Sequence, residues 1–319
     1  MVKDMESIIS SGNDAPIPEL DPQVYQNQAS FVVRRDQTSS TCPTPVISPT
    51  GVRTAKLTVV DGNFLDLSTL TFSFLVRNNH ATHVLRPLSA IPHHWWRRMV
   101  IKCNGATVED IQQTGRTEEM ISRYVSTNKR RNWGDIGHGW ETLTDLSTDA
   151  LAKTIPHTSA RKVTWRPLSS GFLQMRKYLP MMGGASGGLS IELECSDATD
   201  ACFDGTATNH STDWQLENIQ LHVDSVQLTS EMTQNFADML IRGESILLPY
   251  QANACDVMYL NGGSNQVLSL AKQYSRLATI IVSLGITEAD AATRTVQGKA
   301  GNNAYLAQAS SETVSSFCQ

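Results

Sequence analysis

Charge is scarce in this chain. Asp, Glu, Lys and Arg make up 18% of its 319 residues, below the level of about a quarter usual in globular proteins. The net charge is −5, so the positive footprint that whole-chain nucleic-acid binding demands is missing, and no sequence-specific nucleic acid is expected as a partner. Long apolar runs are missing too. No stretch approaches the roughly 18 residues of a membrane-spanning helix, and no membrane insertion is expected. The first residues, MVKDMESIISSGNDAPIPELDP, carry acidic groups and no apolar core; they do not read as a secretory signal, and synthesis in the cytoplasm is expected. The six cysteines, Cys42, Cys103, Cys195, Cys202, Cys255 and Cys318, form no C-x-x-C pair. With no signal peptide they read as reduced thiols, with Cys103 and Cys195 as small core residues.

What is present is strand patterning. The stretch Arg86–Ile111, RPLSAIPHHWWRRMVIKCNGATVEDI, sets Asn104-Gly105 between two strand-like runs at Arg98–Cys103 and Ala106–Ile111. Asn-Gly is a strong hairpin signal because both central residues of a type I′ turn need positive φ. Alternation also predicts strands from Arg53 to Val60 and from Leu70 to Arg77, with Leu70, Phe72, Phe74 and Val76 on one face. Shorter strands are expected at Ser30–Val33, Val163–Trp165 and Phe172–Met175, then at Leu189–Glu194. The run WQLENIQLHVDSVQL from Trp214 reads as one long strand or two joined by a bulge. Later strands are expected at Ile246–Tyr250, Asp256–Leu260 and Leu277–Leu284. Two helices stand out. One is Thr117–Lys129, with Lys129, Arg130 and Arg131 at its end. The other is Glu231–Arg242, capped by Ser230, turning Met232, Phe236, Met239 and Leu240 inward and ending before Gly243. The proline-interrupted residues 1–29 read as an arm, and 132–157 as a long surface loop. Many strands and two helices describe an all-β protein of the sandwich or jelly-roll kind. Each half carries strands and then a helix, a weak internal echo.

Candidate chemistry is thin. His80, His83, His93 and His94 cluster near Cys103, but their spacing fits no zinc signature, and a loop and strand-edge role is expected instead. The glycine run MGGASGG precedes a strand rather than a helix, so it reads as a flexible turn and not a phosphate cradle. Asp197, Asp200 and Asp204 lack the glycine and glutamate of a calcium loop. Lys129–Arg131 with Trp133 reads as helix-end charge and solvated surface rather than a nucleic-acid contact. Asn209-His210-Ser211 fits a glycosylation acceptor, idle without secretion. No catalytic, cofactor-binding or metal residue can be singled out. Trp95 and Trp96 leave two readings open: both fill the core, or one faces a neighbouring subunit.

Three segments resemble a known family. WRRMVIKCNGATVEDIQQTGRTEEMI places a strand with an Asn-Gly turn before an acidic residue and a helix; YLPMMGGASGGLSIELE sets a strand after a Leu-Pro step; WQLENIQLHVDSVQLTS leads to FADMLIRGESILLPY. In this order they resemble the double jelly-roll major capsid proteins of eukaryotic DNA viruses, of the polinton-like virus and virophage type, over roughly residues 30–319. The resemblance implies an arm at 1–29, a first jelly roll at 30–210 and a second at 211–319, the second being incomplete through truncation at the C-terminus. It further implies a non-enzymatic structural protein of the virion, without cofactors. Homotrimers of pseudo-hexameric outline would tile an icosahedral capsid beside neighbouring trimers and penton or minor capsid proteins.

Three alternatives remain open. A single jelly-roll RNA-virus capsid protein would favour a basic N-terminal arm, yet residues 1–29 hold only Lys3. A carbohydrate-binding β-sandwich would call for aromatic platforms, and a β-rich hydrolase for a carboxylate pair across a cleft.

Overall fold

The computed structural model describes residues 32–85, 87, 92–123, 154–175, 177–181, 188–202, 211–243, 248–255 and 280. The protein forms strands β1 (Val32–Thr41), β2 (Val46–Ile47), β3 (Thr54–Val59), β4 (Phe64–Asn78), β5 (Trp96–Cys103) and β6 (Ala106–Gln112). After helix α1 (Thr114–Arg123) come β7 (Ala160–Trp165), β8 (Leu179–Pro180) and β9 (Leu189–Cys195). A short helix α2 (Ala198–Ala201), then β10 (Trp214–Leu228) and helix α3 (Ser230–Ile241), complete the order. One sheet runs β1-β10-β4-β7, with β2 added to β10 and β8 to β4; the other runs β3-β9-β5-β6.

Every one of these pairings is antiparallel, and they nest. β5 pairs β6, β4 pairs β7, β3 pairs β9 and β1 pairs β10. A long hairpin rolled on itself has this connectivity, and it is the connectivity of a jelly roll. Its tip is the Asn104-Gly105 turn, where φ is 51° at Asn104 and 79° at Gly105, as a type I′ turn requires.

Alternation explains most of the strands. Ala55, Leu57 and Val59 on β3, Phe72, Phe74 and Val76 on β4, and Leu189, Ile191 and Leu193 on β9 are all buried between the sheets. An aromatic spine fills the centre: Phe72 stacks on Trp165 at 5.4 Å, Trp96 lies 6.4 Å from Trp165, and Phe74 meets Trp96 edge-on at 5.5 Å. Such ring pairs contribute about 0.5–1.5 kcal/mol each beyond their burial. A smaller cluster forms where α3 closes one end of the larger sheet, with Phe64, Tyr178, Val226, Leu228, Met232, Phe236 and Met239 buried together. Phe236 meets Phe64 edge-on at 5.0 Å, and Gly243 follows the helix at φ 74°, as expected of a C-terminal glycine.

Several expectations need correction. The domain boundary at 210/211 falls inside this barrel: β10, expected to open a second jelly roll, lies between β1 and β4 and pairs with both. The reason is topological, since the last strand of a rolled hairpin must return beside its first. The echo between halves fails with it, because both helices belong to one unit. Residues 172–175 form turns, although Phe172, Leu173 and Met175 are buried. Residues 248–250 are not a strand. β1 extends eight residues beyond Val33, through polar residues that are mostly exposed; it is an edge strand held by its ladder to β10, so its sequence has no alternation to read. Within β10, Asn218 takes φ 50° at the register shift between Glu217 and Gln220, so it is one strand with a bulge. Helix α1 starts at Thr114, whose Oγ1 donates to the Ile111 carbonyl at 3.1 Å. The arm, positions 124–129 of the expected first helix, the glycine run at 182–187 and the expected strand at 256–260 lie outside the described residues, as does 277–284 apart from Ile280.

Trp96→Ala should cost about 3–5 kcal/mol of stability in urea unfolding, since it empties the spine. A loss below about 1 kcal/mol would return Trp96 to the role of a surface contact.

Candidate assembly surface

The tryptophan pair is the first site question, and burial answers it. Trp95 is 1% exposed and Trp96 is fully buried. The alternation that would separate them does not apply, because Trp95 ends a 3-10 turn at Pro92–Trp95 and only Trp96 belongs to β5. Trp95 packs edge-on against Trp214 at 4.8 Å, and Trp96 enters the spine. Both are core residues of the barrel.

The histidines do not converge. His93 and His94 are buried in the 3-10 turn. His80 and His83 stack in the turn after β4 at 4.2 Å, with His80 Nδ1 accepting the His83 N–H at 2.9 Å. No group of three or more metal-ligating side chains occurs among the described residues. Asp197 is engaged by two arginines, Arg53 at 2.7 Å and Arg97 at 3.4 Å. Asp204, Lys129–Arg131, Trp133 and the Asn209-His210 pair lie outside the described residues. Cys42, Cys103 and Cys195 are free thiols. Burial pushes the Cys195 thiol up to about 11 against the opposing charge of Arg53, which leaves it an inert core group; Cys103 is half-buried.

With the interior packed, the barrel's chemistry lies on its surfaces, and the two outer sheet faces differ. On the β3-β9-β5-β6 sheet, Glu192 holds Lys102 at 2.8 Å and Lys56 at 3.8 Å, and Arg98 grips Asp110 through two bonds of 2.8 and 2.6 Å. That is a solvated ion-pair lattice. The central rows of the other outer face hold no Asp, Glu, Lys or Arg, although burial and, after it, the charge of Lys162, which stands opposite Leu75, lower the His222 pKa. Thr41 stands opposite Gln220, Gln220 opposite Ser73, and Ser73 opposite Thr164; beside this row, Ser39 pairs His222 and His222 pairs Thr71. Ser73 Oγ lies 3.0 Å from His222 Nε2. Ion pairs flank this neutral area, with Arg77 on Glu217 at 2.7 Å toward one end and Arg35 on Asp66 at 2.6 Å toward the other.

Besides Asp66, buried against Arg35, two buried carboxylates were missed in the sequence. Glu109 is 3% exposed and Glu118 is 1% exposed. Glu118 Oε1, on α1, accepts the Leu168 N–H at 2.6 Å and the Ser169 N–H at 2.7 Å. Glu109, on β6, accepts from Ser170 Oγ, from Gly171 N at 3.2 Å, from Phe172 N at 3.3 Å and from Asn253 N at 3.3 Å. Burial raises both carboxyls above the ordinary range, against the lowering effect of these bonds and, for Glu118, of His93. The readable signal was phase: Glu109 sits two residues before the buried Ile111 and so shares its inward face.

A cleft of about 420 Å³ lies at the β1–β2 turn, lined by residues 41–46 with Glu217 and Asn218. Glu217, its one carboxylate, is held below the ordinary range by hydrogen bonding to Arg77. No carboxylate pair of the hydrolase type faces this cleft.

This protein is similar to viral major capsid proteins. It overlays the Faustovirus major capsid protein with a TM-score of 0.43 and 9% identity, covering 66% of this chain and 57% of that one. The corresponding figures are 0.42, 10%, 64% and 45% for the capsid of the virus PBCV-1, and 0.36, 8%, 61% and 47% for the mavirus major capsid protein. The sequence thus spans about half the length of these structures. No protein-family profile and no curated protein matches it. At these overlay scores the likeness adds nothing to the jelly roll that the strand order already establishes.

Glu118 yields a pH prediction. Its folded pKa is raised, so the folded state holds the proton more tightly than the unfolded chain. Through this group, stability rises as pH falls through the raised folded value toward the ordinary carboxyl value, and declines over the same window as pH rises. Glu118→Gln keeps an Oε1 for both N–H donors and removes the titration. Urea midpoints measured from pH 4 to 8 should therefore change less with pH in the variant than in the parent. Equal slopes in the two proteins would contradict the assignment.

Proposed function

We propose that this protein is a structural capsid protein of the virion, working by assembly rather than by catalysis. The observation that carries the reading is the rolled-hairpin barrel whose interior is closed by the Phe72–Trp165–Trp96–Phe74 spine. A jelly roll that serves as a cupin or lectin needs an opening or a platform for its ligand; a packed one works through its faces. The contrast between those faces supports the same reading. Burying the ion-pair lattice of the β3-β9-β5-β6 sheet against a neighbour would desolvate charges at a net cost, whereas the row Thr41–Gln220–Ser73–Thr164 has none to desolvate.

In this proposal the neutral face packs against a neighbouring barrel. A second jelly roll, in the same proposal, does not open at Trp214, because β10 belongs to the first. The pair of barrels forms homotrimers of pseudo-hexameric outline that tile an icosahedral shell, with penton or minor capsid proteins at special positions.

Light scattering on the purified protein is the direct test. Self-association is expected, trimers first, and Thr71→Arg on the neutral face should lower the mass toward the monomer without changing the circular dichroism spectrum. A protein that stays monomeric at every accessible concentration would refute the assembly reading. Saturable glycan binding by that monomer would favour the carbohydrate-binding alternative.

A further inference from the structure

Residues 248–255 cross the barrel beside the loop that follows β7, and most of them are exposed. They join neither sheet. Leu248 packs at the margin of the core, and the polar anchors gather at one place. Tyr250 Oη donates to the Val108 carbonyl of edge strand β6 at 3.3 Å, and its ring meets Phe172 edge-on at 5.3 Å. Asn253 gives its backbone N–H to Glu109 and its side-chain amide to the Ser169 carbonyl. Between these two anchors the Gln251 carbonyl lies against Gly171, so closely that a Cβ at position 171 would overlap it.

The seat under this segment is built without it. Glu118 fixes Leu168 and Ser169, Ser170 Oγ accepts the Leu173 N–H at 3.0 Å, and Glu109 holds Ser170, Gly171 and Phe172. Only one of Glu109's four donors belongs to the crossing segment. A buried acceptor that keeps three donors when its fourth departs leaves no uncompensated group behind.

We propose that Glu109, Gly171 and the loop from Leu168 to Phe172 form a preformed docking seat for an extended segment. Its occupant is the protein's own strap, residues 248–255, which docks and leaves as a unit while the barrel stays folded. The seat sets where the backbone departs from the barrel, and the strap shields the β6 edge at Val108, where an uncovered edge strand would be open to pairing. Glycine at 171 is the selective feature: its lack of a Cβ admits the strap's backbone, and its φ is not positive, so alanine fits the loop itself.

Hydrogen exchange on the full-length protein tests the seat, comparing the parent with Gly171→Ala. In the variant the Asn253 amide should exchange faster by on the order of tenfold, while amides of β9 and β10 keep their parental rates. Parental protection of Asn253 in Gly171→Ala would overturn the proposal, because the strap would then not need the glycine. Faster exchange through β5, β6 and β9 together with Asn253 would overturn it as well, because the strap would then be an integral part of the barrel. Should Gly171→Ala fail to fold, the Tyr250→Ala, Asn253→Ala double variant removes the strap's side-chain anchors without touching the seat, leaving only the backbone bond from residue 253 to Glu109. In it, protection at residues 251–255 should fall while Phe172 and the β9 and β10 amides hold. Retained strap protection, or loss of barrel protection with it, would again count against the seat.

Discussion

Everything in this barrel hangs on the turn at Asn104-Gly105. Two consecutive residues with positive φ twist the backbone so that β6 lies beside β5, and each further pair wraps outside the last. Register at the tip therefore propagates outward. A shift of one residue between β5 and β6 would put Ile111 on the face opposite Met99 and Ile101, turning one of the two sets toward solvent. The aromatic spine reinforces this register from the opposite direction. Trp96 and Trp165 come from separate sheets, and their contact closes the two layers on each other.

A second constraint is polar. The turn-rich loop after β7 has backbone N–H groups directed into the protein, and buried donors need acceptors. Glu109 and Glu118 supply them from two elements, β6 and α1, and so tie the loop to the barrel wall. Placing carboxylates there carries a desolvation cost, visible in their raised pKa values. In return, a loop of irregular backbone becomes a defined surface on which later residues can rest. Elsewhere charged side chains pair across the outer face of the β3-β9-β5-β6 sheet and at the two flanks of the other sheet.

Much of the fold was legible beforehand, and the reasons are local. The hairpin was readable because Asn-Gly has few other uses between strands. β3, β9 and α3 were readable because their apolar residues recur at a fixed period on one buried face. β1 was hidden, since an edge strand such as RRDQTSS has little apolar face to show. Phe172–Met175 misled because buried apolar residues in a turn resemble a short strand. Trp95-Trp96 could not be assigned by alternation, because the change from 3-10 turn to strand falls between them.

The sequence by itself determined the all-β character, the hairpin tip, the α3 helix with its inward face, and the poverty of catalytic motifs. These depend on φ preferences and on periods of two and 3.6 residues, which neighbouring residues encode. Only the tertiary structure decided that β10 closes the first barrel instead of opening a second, that both tryptophans are core, and that Glu109 and Glu118 converge on one loop. Each of these is a relation between residues fifty or more apart in sequence or between separate elements, set by how the rolled hairpin nests, and no local pattern carries that information.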